Sequence, residues 1–246
     1  MQQPARPAKA KRAHDDFVTA STRRPHHACI GWQKRSITLN FPDDLILAFD
    51  RGLRTVAGPA VAARTTPAQG LAPAEMSDTE RLTSGRMMRV NHTGEVCAQA
   101  LYQGQALLAR SPATRQALLQ AAHEEWDHLG WCAERLQQLQ ARPSLGNPLW
   151  YAGSFLLGAA SAAAGDRWNM AFLVETERQV ERHLDGHLEQ ISPADLPSRA
   201  IMRTMRAEEG EHADMAIAQG AATLPKPLQT LMRATARVMT ATAYWI

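Results

Sequence analysis

A chain of 246 residues that is 45% apolar and 21% charged can bury a core of useful size, which excludes the collagenous and wholly disordered classes. The formal charge of +3 is unevenly placed: residues 1–36 hold Arg6, Lys9, Lys11, Arg12, Arg23, Arg24, Lys34 and Arg35 against Asp15 and Asp16, so the remainder is acidic on balance. The basic isoelectric point thus belongs to the N-terminal arm, and no nucleic-acid partner is read from it. Cys29, Cys97 and Cys132 form no C-x-x-C pair and no even-numbered framework, so reduced thiols are expected.

Residues 1–36 lack the apolar core of a secretory signal and read as a basic disordered arm. A mitochondrial transit peptide is the alternative for this arm, although Pro4, Pro7, Pro25 and the Asp15–Asp16 pair interrupt an amphipathic helix there. Residues 37–76 read as a short amphipathic helix and a linker. Leu45, Leu47, Ala48, Phe49 and Leu53 form the apolar positions of the helix, and Gly58, Pro59, Pro67, Gly70 and Pro73 break any regular element in the linker. Residues 77–246 read as the compact catalytic domain, opened by the capping-box pattern Ser77-Asp78-Thr79-Glu80.

Within that domain the predicted helices are 78–110, 112–141, 147–164, 166–190, 194–220 and 226–243, separated by proline and glycine stops. No stretch alternates as a strand, so the class is all-α. Residues 146–165 carry no charge but are too rich in Ala, Gly and Ser for a membrane span. They read as a buried or connecting helix, and Trp150, Tyr151, Phe155, Leu156 and Leu157 equally suit a lipid interface. The last helix sets Leu228, Leu231, Met232, Val238 and Met239 beside Lys226, Arg233 and Arg237 and ends in Tyr244-Trp245. Basic residues beside an apolar stripe fit membrane-surface contact.

Chemistry is signalled by two Glu-x-x-His motifs, Glu125–His128 and Glu209–His212. Glu95 precedes the first by 30 residues and Glu177 precedes the second by 32, about one helix, a turn and half the next helix. The chain thus reads as two helical hairpins, each offering one Glu and one Glu-x-x-His. Periodicity selects which carboxylates point inward. Glu177 falls on a stripe with Leu173, Val180 and Leu184, and Glu125 with Leu118, Ala122, Leu129, Cys132 and Leu136. Glu209 shares a stripe with Met202, Met205, Ala213 and Ala216, whereas Glu95 has a thinner one with Met88, Ala98 and Tyr102. Glu175 and Glu181 fall off the stripe, and Glu124, Asp127, Glu208 and Glu211 flank the motifs in solvent-facing or supporting positions. A carboxylate on a buried stripe costs several kcal/mol unless it is paired or holds a cation. Four carboxylates with two imidazoles suit iron or manganese better than copper or thiolate-bound zinc. That set is the one held in ferritin-like four-helix bundles, here with two additional amphipathic or apolar helices. An iron-storing bundle is the competing reading; a cage needs hydrophilic outer faces, which those two helices do not supply.

Arg89-Val90-Asn91-His92-Thr93-Gly94-Glu95, His123-Glu124-Glu125-Trp126-Asp127-His128, Thr176-Glu177 with His183, and Glu208-Glu209-Gly210-Glu211-His212 resemble the signatures of the demethoxyubiquinone hydroxylases, di-iron carboxylate proteins of ubiquinone biosynthesis. The resemblance covers about residues 86–246. It implies that Glu95, Glu125, His128, Glu177, Glu209 and His212 are catalytic iron ligands, with Glu125 and Glu209 bridging two Fe ions, and that His183 lies near the site. It further implies a monooxygenase that hydroxylates the ring of a demethoxyubiquinol with O₂ as co-substrate, the reductant being NADH or the quinol itself. The implied partners are a prenylated benzoquinol, the membrane surface, and a homo-oligomer or other ubiquinone-biosynthesis proteins. The implied location is peripheral at the cytoplasmic face of the cell membrane, or the mitochondrial inner membrane should the basic arm be a transit peptide. Residue 184 is Leu where animal relatives are expected to carry Tyr, so any role of that phenol does not transfer.

Overall fold

The computed structural model describes residues 41–72 and 75–246, and the described residues contain helices and no strand. The arm at 1–36 and Cys29 lie outside the described residues. In chain order the helices are α1 (Phe41–Ala57), α2 (Asp78–Leu108), α3 (Pro112–Gln138), α4 (Asn147–Ala163), α5 (Asp166–Gln190), α6 (Leu196–Ala218) and α7 (Lys226–Trp245). The helix starts follow local chemistry. Ser77 and Glu80 form the expected capping box, Asp195 accepts from Ser198 N–H at the head of α6, and proline occupies the first turns of α3, α4, α6 and α7.

Several ends differ from the sequence expectation by two or three residues, for visible reasons. The helix expected to reach 110 stops at Leu108 because the Asp166 carboxylate takes the backbone N–H groups of Arg110 (2.9 Å) and Ser111 (2.8 Å). The helix expected to reach 141 stops at Gln138, where Gln140 turns to φ 55° and Ala141 N–H closes onto the Leu136 carbonyl at 2.9 Å.

Helices α2 and α3 form one hairpin and α5 and α6 the other, meeting through α3 on α6 and α2 on α5. Around this four-helix bundle α4 lies along α2, α7 rests on α2 and α5, and α1 on α2 and α4. Helix α4 approaches α2 closely because both contribute glycine: a Cβ on Gly104 would collide with the Phe155 carbonyl, and one on Gly158 with the Leu101 carbonyl. Among the described residues the core forms three apolar clusters, of which the two larger matter for the site. One apolar cluster contains Met88, Trp131, Leu136, Leu184, Met202 and Met205, and a second contains Tyr102, Leu118, Ala122, Met170, Leu173 and Ala216. The candidate ligands fall between these clusters along each helix, a polar layer with apolar layers above and below it. No described helix is long and apolar enough to cross a membrane.

Candidate metal centre

The layer between the two larger apolar clusters collects one Glu from α2, one from α5, and a Glu-x-x-His pair from each of α3 and α6. All six side chains selected by spacing are buried. They form two overlapping groups whose ligating atoms lie within 4.8 Å of one another: Glu95, Glu125, His128 and Glu209 in one, and Glu177, Glu209 and His212 in the other. The i, i+3 spacing of each motif places carboxylate and imidazole on one helix face, one turn apart.

Both imidazoles turn Nδ1 inward. His128 Nδ1 is 2.7 Å from Glu125 Oε2 and 3.6 Å from Glu209 Oε1. His212 Nδ1 is 2.8 Å from Glu125 Oε1 and 3.7 Å from Glu209 Oε2. Glu125 and Glu209 thus each direct one oxygen toward each imidazole, while Glu95 lies on the His128 side (4.0 Å) and Glu177 on the His212 side. The 2.8 Å approach of His212 Nδ1 to Glu125 Oε1 does not have the angle of a hydrogen bond. Both atoms, together with Glu95 Oε2, are buried without a hydrogen-bond partner. Buried polar atoms are almost always satisfied, and a cation could satisfy these three ligand-type atoms.

Electrostatics lead to the same conclusion. Burial, then the neighbouring carboxylates, push Glu95 and Glu177 well above the ordinary carboxylate range. Burial works against the imidazolium of His212, yet Glu125 and Glu209 hold it up at about 12; His128 is likewise raised against its burial by Glu125. Glu125 is held down, against its own burial, by His128 and His212. Four carboxylates and two imidazoles crowded out of water have a deficit of positive charge, which two hard or borderline divalent cations would fill. The donor set fits a di-iron centre.

The supporting groups come from the neighbouring residues of each motif and cross between helices. Glu208, beside Glu209 on α6, is 2.7 Å from His128 Nε2 on α3; Glu124, beside Glu125 on α3, is 3.0 Å from His212 Nε2 on α6. Outer partners of this kind fix the ring orientation of a ligating histidine. Glu211 is exposed, and Glu175 pairs outward with Arg182 and Arg233. Tyr102, seen in the sequence only as a stripe residue, donates its hydroxyl to Glu177 Oε1 at 2.7 Å. His183 lies beside Glu95 in a cavity of about 380 Å³ between α2, α5 and α7, with Nε2 buried and unpartnered. Its ring is 4.0 Å from that of His187, whose Nδ1 meets Asn91 Oδ1 at 2.9 Å. Leu184, in place of a tyrosine, also lines this cavity.

The family model described as ubiquinone biosynthesis protein COQ7 matches residues 83–243, a span that holds all six convergent side chains. The chain is 52% identical over 204 residues to a protein of Nitrosospira multiformis named 3-demethoxyubiquinol 3-hydroxylase, covering 83% of this chain and 98% of the relative. Proteins with the same name from Chromobacterium violaceum (54% over 202 residues, 82% and 98% covered) and Janthinobacterium sp. (53% over 208 residues, 85% and 100% covered) are similar to it as well. With the family's match spanning the whole buried carboxylate–imidazole layer, and relatives above half identity along nearly their full length, this chain belongs to the COQ7 family of ubiquinone biosynthesis proteins.

Proposed function

We propose that the chain hydroxylates the ring of a demethoxyubiquinol with O₂, a late step of ubiquinone biosynthesis, and that Glu95, Glu125, His128, Glu177, Glu209 and His212 hold two iron ions for that reaction. The observation that carries this reading is the double-facing geometry of Glu125 and Glu209, each with one oxygen toward each imidazole. When bound, the irons supply the redox equivalents and open coordination positions for O₂ activation. One oxygen atom enters the ring and the other leaves as water, with NADH or the quinol providing the two electrons consumed per turnover.

The chain's own residues do the rest. Glu125 and Glu209 would be shared between the two ions, Glu95 and Glu177 would each serve one of them, and Tyr102 holds Glu177 in place through its hydroxyl. The apolar clusters on either side of the layer keep bulk water from the reacting atoms. The cavity beside Glu95 is the entry for the quinol ring. Val180, Leu184 and Met239 offer apolar walls, and Arg233 and Arg237 provide cationic donors beside them. On α7, which forms one wall, Leu231, Val238 and Trp245 are exposed. These residues suit a peripheral seat at the membrane surface, from which a prenylated substrate reaches the cavity without crossing water.

The test is the mass of the quinone product after ferrous-loaded protein receives demethoxyubiquinol and ¹⁸O₂, with Glu177→Ala as control. One labelled atom is expected in the wild-type product. The variant is expected to lose turnover and to bind less iron while keeping its helicity. Iron oxidation with an unlabelled quinol would overturn the substrate and bring iron oxidation or storage forward. An active, fully loaded Glu177→Ala would overturn the ligand set.

A further inference from the structure

The segment between α1 and α2 is fastened to the outside of the metal layer through Val61, Ala63 and, by its side chain, Arg64; Trp126 Nε1 donates to the Val61 carbonyl at 3.1 Å. The Arg64 guanidinium forks onto Glu208, Nη1 to Oε1 at 2.9 Å and Nη2 to Oε2 at 2.8 Å, while Nε donates to Asp127 Oδ2 at 2.6 Å. The backbone N–H groups of Ala63 and Arg64 both donate to Asp127 Oδ1, at 2.6 and 3.2 Å. Trp131 Nε1 donates to the Arg64 carbonyl at 3.3 Å, and the guanidinium lies 4.7 Å from the Trp131 ring centroid. Glu208 then presents Oε2 to His128 Nε2 at 2.7 Å. A bidentate guanidinium–carboxylate pair fixes the plane of the carboxylate as well as its position. The tilt of the His128 ring is therefore set by a residue 64 positions away in sequence.

The other imidazole has no such anchor. His212 Nε2 leans on Glu124, whose side chain is 41% exposed against 23% for Glu208, and which otherwise accepts from the Gln120 amide at 2.8 Å.

We infer that Arg64 is a positioning residue for the His128 half of the metal centre, and that it makes the two halves unequal. The half built on Glu95 and His128 is rigid, and the half built on Glu177 and His212 is yielding. This inference rests on the proposed metal centre. Removing the outer partner of a ligating histidine, here Glu208, typically lowers metal affinity 10–100-fold; Arg64 acts through Glu208, so its removal costs the lower end of that range or less, and the loss belongs to one ion only.

The test is an anaerobic Fe(II) titration of the full-length chain followed by metal analysis, with Mn(II) and electron paramagnetic resonance as a second readout. Wild type is expected to bind two ions. Arg64→Ala weakens one of them by up to about 10-fold and leaves the other unchanged. In a Glu177→Ala background, Arg64→Ala weakens the ion that remains; in a Glu95→Ala background it does not. Arg64→Lys, which keeps the charge and loses the fork, gives an intermediate loss, and it carries the test if Arg64→Ala does not fold by circular dichroism. Unchanged affinities in Arg64→Ala, or equal weakening of both ions, would overturn the assignment while leaving the metal centre in place. Failure of the wild type to bind two ions overturns the metal centre and this inference with it.

Discussion

Each of the six convergent side chains is unfavourable alone, because a carboxylate or imidazole removed from water must find opposite charge or shed its own. Outside the ligand set the same rule acts on His92, His183 and His187, with the opposite outcome. Burial lowers His92 and His183 to about 4; burial and then the charge of His183 lower His187 to about 3. These rings stay neutral in the folded chain at a pH where the unfolded chain protonates them, near the ordinary histidine value of about 6.5. Their stabilising effect is complete above that value and is lost as pH falls from 6.5 toward 3–4, since the unfolded state then binds more protons. Each ring contributes a slope of up to about 1.4 kcal/mol per pH unit. Replacing His183 and His187 with Gln should therefore flatten the fall in melting temperature of chelator-treated protein between pH 6.5 and 5; an unchanged slope would show that these rings titrate normally. At this scale the sequence is informative about ligands and poor about their supports. Glu177 was legible because it interrupts an apolar stripe. Arg64 was not, because its partners Asp127 and Glu208 are brought to it by tertiary structure and leave no periodic trace. His183 had no such trace either; family resemblance alone pointed to it.

At the scale of elements, legibility depends on how many sides a helix buries. Helices α3, α5 and α6 each keep a wet face, so their core stripes were readable. Helix α2 contacts α1, α3, α4, α5 and α7, and its buried residues include Gln99, Gln103 and Gln105 as well as Met88 and Val96. A helix enclosed this way carries weak amphipathic contrast, which is why Glu95 stood on the thinnest pattern of the six. Helix α4, uncharged and glycine-bearing, could be read as a connector or as a lipid-facing helix. It seats two glycine contacts against α2 and leaves Leu149, Leu156 and Leu157 exposed, so it serves as a buttress with one apolar face turned outward. The glycine seat gives a direct test. Gly104→Val places two methyl groups and a Cβ where the Phe155 carbonyl already lies, and overpacking of this kind costs about 1–3 kcal/mol. A fall in melting temperature of roughly 2–10 °C is expected for a domain of this size. Gly153→Val, whose Cβ meets nothing within 4 Å, controls for loss of glycine on the same helix pair, and equal effects from the two would reject the close-approach account.

For the whole molecule the decisive feature is the charged layer between the two larger apolar clusters of the core. The clusters hold the bundle together, since hydrophobic burial is the dominant favourable term in folding. The layer opposes it, because burial and the neighbouring carboxylates disfavour the ionised forms of Glu95 and Glu177 unless a cation shares the site. Metal binding should then act on stability far more than on secondary structure. A ligand that binds only the folded state stabilises it by about 2.7 kcal/mol at 100 times its dissociation constant, which for a chain of this length raises the melting temperature by roughly 5–10 °C. Adding Fe(II) or Mn(II) to chelator-stripped protein is expected to produce that rise while the far-ultraviolet signal hardly moves. Glu177→Ala should show a smaller rise, having lost one donor and one source of repulsion. Sodium chloride at equal ionic strength should not reproduce the effect, because screening by salt scarcely reaches fully buried groups. A melting temperature indifferent to metal would mean that protons alone balance the buried carboxylates, and the layer would then be a structural network of shared protons instead of a cation site.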